Sequence, residues 1–344
     1  MPQILFLFII SATLIVLINL ICNKFNFLIY KPTEEHKEHF KNKIFNSGGL
    51  IFFFYIVILN IYNLDIKNLD LFYTLYFFLI FIIGFLSDVS TLSAKIRLLI
   101  ISILTLFFFY FSENYIWDLK FDILNNLFIS YSIITIIFTS ICFVVLINGI
   151  NFIDGVHGLS ILYTIIVIVF LSYFTYFTLN SEIFLNESIY LIPILLCLFY
   201  LNIKEKIFFG DTGSYLAGAI LGYYVIKITN TEGFSYPYVY ANLLIYPAFE
   251  VFFSIFRKII INVNPLLPDK KHLHHLIQEI FLRRKINLKN SKIFSGIIIN
   301  FIVVFFNIFS IFMYEKKYIL ITNIFLFCFF YLFLYLFLKR RLKY

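Results

Sequence analysis

Apolar stretches of about 20 residues recur from one end of this chain to the other. An α-helix needs roughly 20 apolar residues to cross the hydrocarbon core of a bilayer, which is about 30 Å thick. Charged residues make up 13% of the 344-residue chain and hydrophobic residues 62%, whereas a soluble domain carries about 25% charged residues. Because so few charges cannot cover a water-facing surface, we predict an all-α, polytopic integral membrane protein.

Charged or turn-forming residues separate about eleven predicted transmembrane helices. These helices are predicted near residues 3–22, 48–63, 71–87, 95–112, 129–148, 157–179, 188–202, 213–229, 238–256, 293–313 and 318–338. The longest polar interruptions, residues 23–47 and 257–292, are too short for a soluble domain. We therefore expect a single transmembrane domain over residues 1–344.

The 27 Lys and Arg residues indicate the orientation. Most of them fall on one side of the membrane if the helices alternate in direction, and basic residues are enriched in cytoplasmic loops. The N-terminus is therefore predicted outside and the C-terminus in the cytoplasm. The cytoplasmic loops are then predicted at about residues 23–47, 88–95, 148–157, 202–212 and 257–292. The net charge of +8 follows from this asymmetry and requires no nucleic-acid partner.

Four polar clusters interrupt the apolar sequence, all on the predicted cytoplasmic side. In the first, GFLSDVSTLSAKIRL, Asp88 ends one predicted helix, and Lys95 and Arg97 begin the next. A carboxylate beside cations suits a metal ion with a phosphate, although a solvated turn with basic flanks is the alternative. In the second, NGINFIDGVHGLS, Asn148, Asn151 and Asp154 are spaced three residues apart, which places them along one side of a helix.

The third cluster, FFGDTGSYLAG, precedes a predicted helix and contains Gly210, Asp211 and Ser214. A carboxylate, a hydroxyl and free backbone N–H groups at a helix N-terminus form a phosphate or metal–phosphate site. Helix capping alone is the alternative for Asp211 or Ser214.

The fourth cluster, PDKKHLHH, contains His272, His274 and His275 before an amphipathic helical pattern. If the helix includes His272, this residue shares a side with His275. If the chain is still extended there, His272 pairs with His274 instead, and the pattern leaves both options open. The imidazoles are candidate contacts to a pyrophosphate, with a basic interfacial helix as the alternative.

An acidic residue, Glu250, lies inside the ninth predicted transmembrane helix. Acids within a membrane are costly and are functional by default. Arg257 follows seven residues later and projects from about the same helix face, so both are candidate site residues.

These residues together favour Mg²⁺ chemistry on phosphates. Mg²⁺ is usually held by one or two carboxylates plus substrate phosphates, and phosphoryl transfer requires mainly positioning and charge neutralisation. The cytoplasm supplies nucleotide donors and the bilayer supplies a lipid acceptor. We therefore predict a Mg²⁺-dependent transferase that moves a phosphorylated group from a nucleotide onto a lipid.

The four clusters, in this order, resemble the motifs of the polyprenyl-phosphate N-acetylhexosamine-1-phosphate transferases, the superfamily that includes the phospho-MurNAc-pentapeptide translocase. The first segment is similar to the aspartate-pair motif, NGINFIDGVHGLS to the Asn/Asp/Gly loop, GDTGS to the GDxGS signature, and PDKKHLHH to the histidine-rich loop. The resemblance implies transfer of a HexNAc-1-phosphate from a UDP-sugar to undecaprenyl phosphate, with release of UMP, in cell-envelope glycan synthesis. It also implies a multi-pass protein of the bacterial inner membrane with its active site on the cytoplasmic face.

The resemblance implies a role for each candidate residue. Asp211 would be the principal Mg²⁺ ligand, Asp88 would assist at the metal or orient the acceptor phosphate, and these two with Asp154 would be catalytic. The residues expected to contact nucleotide, phosphates or sugar are Asn148, Asn151, Lys95, Arg97, Gly210, Ser214, Lys270, His272, His274 and His275. The partners would be the UDP-sugar, the polyprenyl phosphate and the bilayer, and a homodimer is one option for the assembly.

Three positions depart from the family pattern. The usual Asp-Asp pair is Ser87-Asp88, the second acid of the Asp-Gly loop is His157, and the basic residue after the Pro-Asp pair, usually Arg, is Lys270. A hydroxyl at Ser87 disfavours a covalent phospho-enzyme, so we expect direct attack by the acceptor phosphate. A non-catalytic, degenerate family member or a transporter is the alternative function.

Overall fold

The computed structural model describes residues 2–30, 43–61, 71–90, 92–180, 183–231, 236–267, 269 and 271–343. Lys270 and its predicted phosphate contact lie outside these residues. Within them the chain is helical, with only isolated β-bridges that join Phe45 to Ile29 and to Ile207. The predicted all-α class is confirmed.

Fourteen α-helices occur in the described part of the chain. They run over Pro2–Lys24 (α1), Gly48–Ile61 (α2), Leu71–Val89 (α3), Ala94–Ser112 (α4), Asp122–Ser130 (α5), Ser132–Ile153 (α6), Leu159–Leu179 (α7), Ile183–Ile203 (α8), Gly210–Thr231 (α9), Pro237–Leu243 (α10), Ile245–Ile260 (α11), Leu273–Arg283 (α12), Leu288–Phe312 (α13) and Lys317–Leu342 (α14).

The helices have the length and composition of a polytopic membrane protein. Seven helices (α1, α3, α4, α6, α7, α13 and α14) are long and apolar enough to cross a membrane by themselves, and α10 with α11 forms a bent pair that passes the same test. The apolar stretches Gly48–Ile61 and Ile189–Ile203 are shorter. Every predicted segment thus contains a helix, while the number of crossings and the orientation stay predictions.

Helix α9 is the centre of the bundle. It packs against α2, α3, α6 and α7, and most of its side chains are buried. Glycines permit two of these approaches, because a Cβ at Gly49 of α2 would lie 2.2 Å from Gly213 N and one at Gly218 would lie 2.7 Å from Ile147 Cα of α6. The helix that begins with the GDTGS cluster is therefore the one around which the others are arranged.

One predicted helix, residues 238–256, is broken in the structure. Its two parts, α10 and α11, meet at Leu244 with a bend of 70°. Pro247 lies in the first turn of α11. Proline has no N–H for the preceding turn and its ring clashes with the carbonyl four residues earlier, so a helix cannot run straight through this position. The expectation of one continuous helix is wrong here.

Candidate functional site

A cavity of about 820 Å³ brings all four sequence clusters together. It lies where the C-terminal ends of α3, α6 and α11 meet the start of α9, together with the segments next to these helix ends. The predicted residues that line it are Ser87, Asp88, Arg97, Asn148, Asn151, Asp154, His157, Gly210, Asp211, His272 and His275.

Asp211 is the centre of the hydrogen-bond network in this cavity. Its Oδ2 accepts hydrogen bonds from Arg97 and from the Ser87 hydroxyl, and its Oδ1 accepts from Asn151 Nδ2 at 2.6 Å. Asn151 also donates to Ser214 Oγ at 3.0 Å. The first three predicted clusters are thus joined through one carboxylate.

Asp88 caps the beginning of α9. Its carboxylate accepts the backbone N–H groups of Asp211 and Thr212 at 2.9 and 3.0 Å, and the Thr212 hydroxyl at 2.5 Å. A carboxylate on the exposed N–H groups of a helix start is favoured by hydrogen bonding and by the helix dipole. Asp88 therefore fixes the end of α3 to the start of α9, a structural role that the sequence analysis did not predict.

Asp154 lies just after the end of α6 and accepts a hydrogen bond from Ser160. The residue keeps some accessible surface inside the cavity, but protein atoms surround its carboxylate. This desolvation, together with the nearby charges of Asp211 and Asp88, holds the pKa of Asp154 well above its usual range. Three carboxylates thus converge, and a cation between them would relieve their repulsion.

His157, which replaces the usual second acid, is buried in the cavity wall. Its Nε2 lies 3.0 Å from Glu205 Oε1, and its ring stacks on Phe208 at 5.5 Å between centroids. Burial lowers the pKa of His157, although the hydrogen bond to Glu205 opposes this shift. Burial would raise the pKa of Glu205, but the hydrogen bond from His157 opposes it, and the pKa of Glu205 is lowered. The site therefore keeps an acid near this position, but Glu205 supplies it from a different loop.

The histidine cluster starts in an extended conformation. His272 is the N-cap residue of α12 with ψ of 155°, and its ring is parallel to that of His274 within 3°, at 5.5 Å between centroids. The extended alternative is therefore correct. A Cβ at Gly155 would lie 2.7 Å from His274 Nε2 and 3.0 Å from His275 Nε2, so the histidines pack directly on the Asn/Asp/Gly loop.

Burial suppresses the charge of two of these imidazoles. It lowers the pKa of His274 well below its usual value, and it lowers the pKa of His275 to about 4. His274 is fully buried and does not line the cavity, and neither of its ring nitrogens has a hydrogen-bond partner among the described residues.

Glu250 and Arg257 bind different partners. Glu250 is fully buried and lies 3.0 Å from His272 Nδ1, whereas Arg257 Nη2 donates to Asp269 Oδ2 at 2.9 Å. Although burial works against it, the Lys271 N–H and the Arg257 guanidinium hold the pKa of Asp269 below its usual value.

Within the described part of the chain, five predicted residues do not line the cavity (Lys95, Ser214, Glu250, Arg257 and His274), and Asn148 lines it but bonds within its own helix. Lys95 is exposed and is not among the lining residues. Asn148 lines the cavity, but its amide donates to Val144 O within α6 at 2.8 Å. Arg97, two residues after Lys95, is therefore the basic residue of the first cluster that reaches the carboxylates.

The sequence analysis missed four charged residues that belong to this site. Lys258, Asp269 and Lys292 line the cavity and Glu205 binds His157. Glu205 and Lys292 lie outside the four clusters, and Lys258 directly follows the predicted Arg257. Asp269 lies within the fourth cluster, PDKKHLHH, but was not among the predicted site residues.

The arrangement fits a divalent cation together with phosphates. No group of three or more His, Cys, Asp or Glu side chains forms a ready-made metal site in the described part of the chain. Mg²⁺, however, typically takes only one or two protein carboxylates and completes its shell with waters and substrate phosphates. Asp211, with Asp88 or Asp154 beside it, supplies that number, and Arg97 and Lys258 supply positive charge for phosphates.

Comparison with known proteins supports the resemblance. Residues 71–229 match the family model described as Glycosyl transferase family 4. Over 72 residues, or 21% of the chain, the sequence is 38% identical to the undecaprenyl-phosphate alpha-N-acetylglucosaminyl 1-phosphate transferase of Thermotoga maritima. The aligned part spans 23% of that relative's length. The family match contains the first three clusters, and the histidine cluster lies beyond it.

Proposed function

We propose, from the premise that this chain belongs to glycosyl transferase family 4, that it transfers a HexNAc-1-phosphate from a UDP-sugar to polyprenyl phosphate and releases UMP. One observation carries the proposal: Asp88, Asp154 and Asp211 converge in a single cavity between transmembrane helices, beside Arg97 and Lys258. Phosphoryl transfer depends mainly on positioning the phosphates and neutralising their charge, and this set of groups can do both.

The donor diphosphate would occupy this cavity. Its volume of about 820 Å³ lies within the range of about 300–1,000 Å³ that is usual for small-molecule sites. Arg97, Lys258 and Lys292 line different walls, so cations can reach both phosphates of the donor. His272 and His275 border the same space from the beginning of α12 and its N-cap.

The lipid tail of the acceptor would lie in a second cavity of about 370 Å³ between α6, α9, α10 and α11. Its walls are almost entirely apolar, with Phe143 and Phe252 among them. The two cavities share α11, because Val251 and Ile255 line the polar one and Ala248 and Phe252 the apolar one. A lipid along α11 would therefore bring its phosphate to the carboxylates while its tail stays in apolar surroundings.

The reaction would be a single displacement. An oxygen of the acceptor phosphate attacks the phosphorus that carries the sugar, a new P–O bond forms, the pyrophosphate P–O bond breaks, and UMP leaves with the bonding electrons. A phosphate monoester has a second pKa of about 6, so the attacking group is largely dianionic at neutral pH and needs little help from a base. A nucleophilic Asp88 is disfavoured, because both its oxygens accept hydrogen bonds from the start of α9.

Mg²⁺, when bound, would be held by Asp211 with Asp88 or Asp154, and it would neutralise the charge that develops on the phosphates. Arg97 donates to Asp211 in this structure. If a cation bound Asp211 instead, the Arg97 side chain could bind a substrate phosphate. Ser87 and Asn151 keep the Asp211 carboxylate oriented through their own hydrogen bonds.

The test uses the purified protein in detergent with undecaprenyl phosphate, Mg²⁺ and a panel of UDP-HexNAc donors. We expect release of UMP and formation of a lipid-linked sugar with at least one donor, dependent on both the lipid and Mg²⁺. Asp211→Asn is the matched inactive control. Failure to release UMP with every donor would refute the proposed function and leave the non-catalytic alternative, and a phosphorylated protein isolated after UDP-sugar alone would refute single displacement.

We further propose that the protein lies in the bacterial inner membrane with this cavity open to the cytoplasm, where UDP-sugars occur. The observation behind this is that the predicted inner loops are those that meet at the cavity. Labelling of a cysteine introduced at Lys285, in the predicted cytoplasmic loop, should require a membrane-permeant reagent in intact cells. Labelling by an impermeant reagent would reverse the orientation.

A further inference from the structure

The ring of His272 is held in one orientation by its neighbours. Its Nδ1 lies 3.0 Å from Glu250 Oε2. The ring packs between Phe152, at 5.4 Å between centroids, and the parallel ring of His274 at 5.5 Å. An ionised carboxylate only accepts hydrogen bonds, so this contact requires a hydrogen on Nδ1, and Nε2 lies on the opposite side of the ring.

The opposite side of the ring belongs to the cavity. His272 Nε2 lies 3.8 Å from Asp269 Oδ1, and both residues line the polar cavity. Asp269 is itself held by Arg257 at 2.9 Å. One ring nitrogen thus contacts a buried carboxylate, and the other lies near Asp269, a second residue of the cavity wall.

The buried position of Glu250 is unfavourable for stability. This residue lies within α11, and no part of it is accessible. Its other oxygen accepts a hydrogen bond from the Tyr246 hydroxyl at 3.3 Å. A buried carboxylate is costly even when it is paired, and an apolar residue of similar volume often serves stability equally well. Its presence is therefore better explained by an effect on His272 than by stability.

The other two histidines lack such a partner. Within the described residues, His275 Nδ1 faces the Gln278 side chain at 3.4 Å, and His274 has no hydrogen-bond partner. Among the described residues, His272 is the one histidine of the three with a carboxylate against Nδ1, although all three stand within four residues of each other.

We propose that Glu250 is a positioning residue that binds Nδ1–H of His272 and thereby turns Nε2 of that ring towards the cavity, where its N–H, present in the imidazolium form, donates to a phosphate of the sugar-nucleotide donor. This inference rests on the proposed function for the identity of the ligand. Its structural part, that Glu250 determines the orientation and tautomer of His272, does not depend on activity.

The first test is a double-mutant cycle on the rate of UMP release. Partners that orient a functional histidine typically contribute about 10- to 100-fold to activity, so Glu250→Leu should lower kcat/KM by that factor. In a His272→Gln background, the same substitution should lower the rate by no more than about twofold, because two residues that act through one contact are not additive. Losses that multiply would overturn the proposal.

The second test observes the ring itself. In protein labelled with ¹⁵N-histidine, the signals of His272 are assigned by their absence in His272→Gln. We expect a protonated Nδ1 in the wild-type protein and a shift of both ring nitrogens in Glu250→Leu. Unchanged signals would overturn the proposal even if activity falls.

Two controls complete the design. Glu279→Leu removes an acid of α12 that is paired with Arg283 at 3.3 Å, and it should change neither the rate nor the His272 signals. Glu250→Gln retains an oxygen acceptor in a side chain of nearly the same shape, and it should restore most of the rate lost in Glu250→Leu. If the wild-type protein releases no UMP, the proposed function fails, while the ¹⁵N signals still decide the role of Glu250.

Discussion

Gly84 of α3 lies where this helix meets the beginning of α9. A Cβ at this position would be 2.5 Å from Thr212 Cα and 2.9 Å from Thr212 N. Ordinary contacts to a Cβ start at 3.4 Å, and both neighbouring atoms are backbone, which cannot rotate away. In Gly84→Ala the two helices must therefore separate by roughly 0.9 Å at this point, the difference between 3.4 and 2.5 Å.

This separation would act directly on the carboxylates. Asp88 is one turn further along α3 and binds Thr212 N at 3.0 Å, so the displacement stretches its bonds to the start of α9 and moves Asp211. Overpacking of a close contact costs about 1–3 kcal/mol of stability. A misplacement of about 1 Å at a catalytic group can cost on the order of 100-fold in rate, and we expect a loss of this size.

The assay is the initial rate of UMP release, with thermal unfolding in detergent measured on the same samples. Gly218→Ala is the matched comparison. Gly218 lies on α9, seven residues beyond Asp211, and its added Cβ would lie 2.7 Å from the backbone Cα of Ile147 in α6. This variant should lose similar stability but at least tenfold less activity. If folded Gly84→Ala protein retained more than about a third of the wild-type rate, the reasoning from helix separation would be wrong.

Three further predictions concern the titratable groups. Asp211→Asn should lower UMP release by at least about 100-fold. Asp154→Asn should retain more activity, because burial already favours the protonated form of Asp154, and the rates of UMP release of the two variants measured side by side test this order. Mg²⁺ at about 100 times its Kd should stabilise the wild-type protein by about 2.7 kcal/mol, seen as a higher Tm, and an equal rise in Asp211→Asn would contradict the metal assignment. Burial lowers the pKa of His275 to about 4. Between about pH 6.5 and about pH 4, this histidine is therefore protonated in the unfolded chain but not in the native protein. The stability of the native protein should then fall as the pH falls through this range. His275→Gln should flatten the Tm profile in that window, and an unchanged slope would exclude this histidine as its source.

The helices could be predicted from the sequence because a membrane constrains each one locally. In a bilayer every backbone polar group must be satisfied within the protein, so a long apolar stretch has essentially one solution, a helix. All eleven predicted segments accordingly contain helices. The break between α10 and α11 was missed although Pro247 marked it, because the apolar composition continues across residues 238–256.

The members of the site were predictable to the extent that they formed clusters. Asp88, Asp154 and Asp211 stand out from apolar surroundings, and they line one cavity as expected. Glu205 and Lys292 do not stand out, because single charges near helix ends have many ordinary roles. Only the packing of α8 and α13 beside the other helices brings them to the site.

The sequence by itself determined which segments are helices, which loops carry polar clusters and which residue types those clusters contain. Tertiary structure decided how those residues divide the work: Asp88 caps α9 across 123 positions of sequence, Asp211 gathers Arg97 and Asn151, and Glu250 holds His272. The reason is physical. Helix formation depends on consecutive residues, whereas these contacts join residues far apart in the chain, and their geometry exists only once the close approaches around α9 have placed the helix ends.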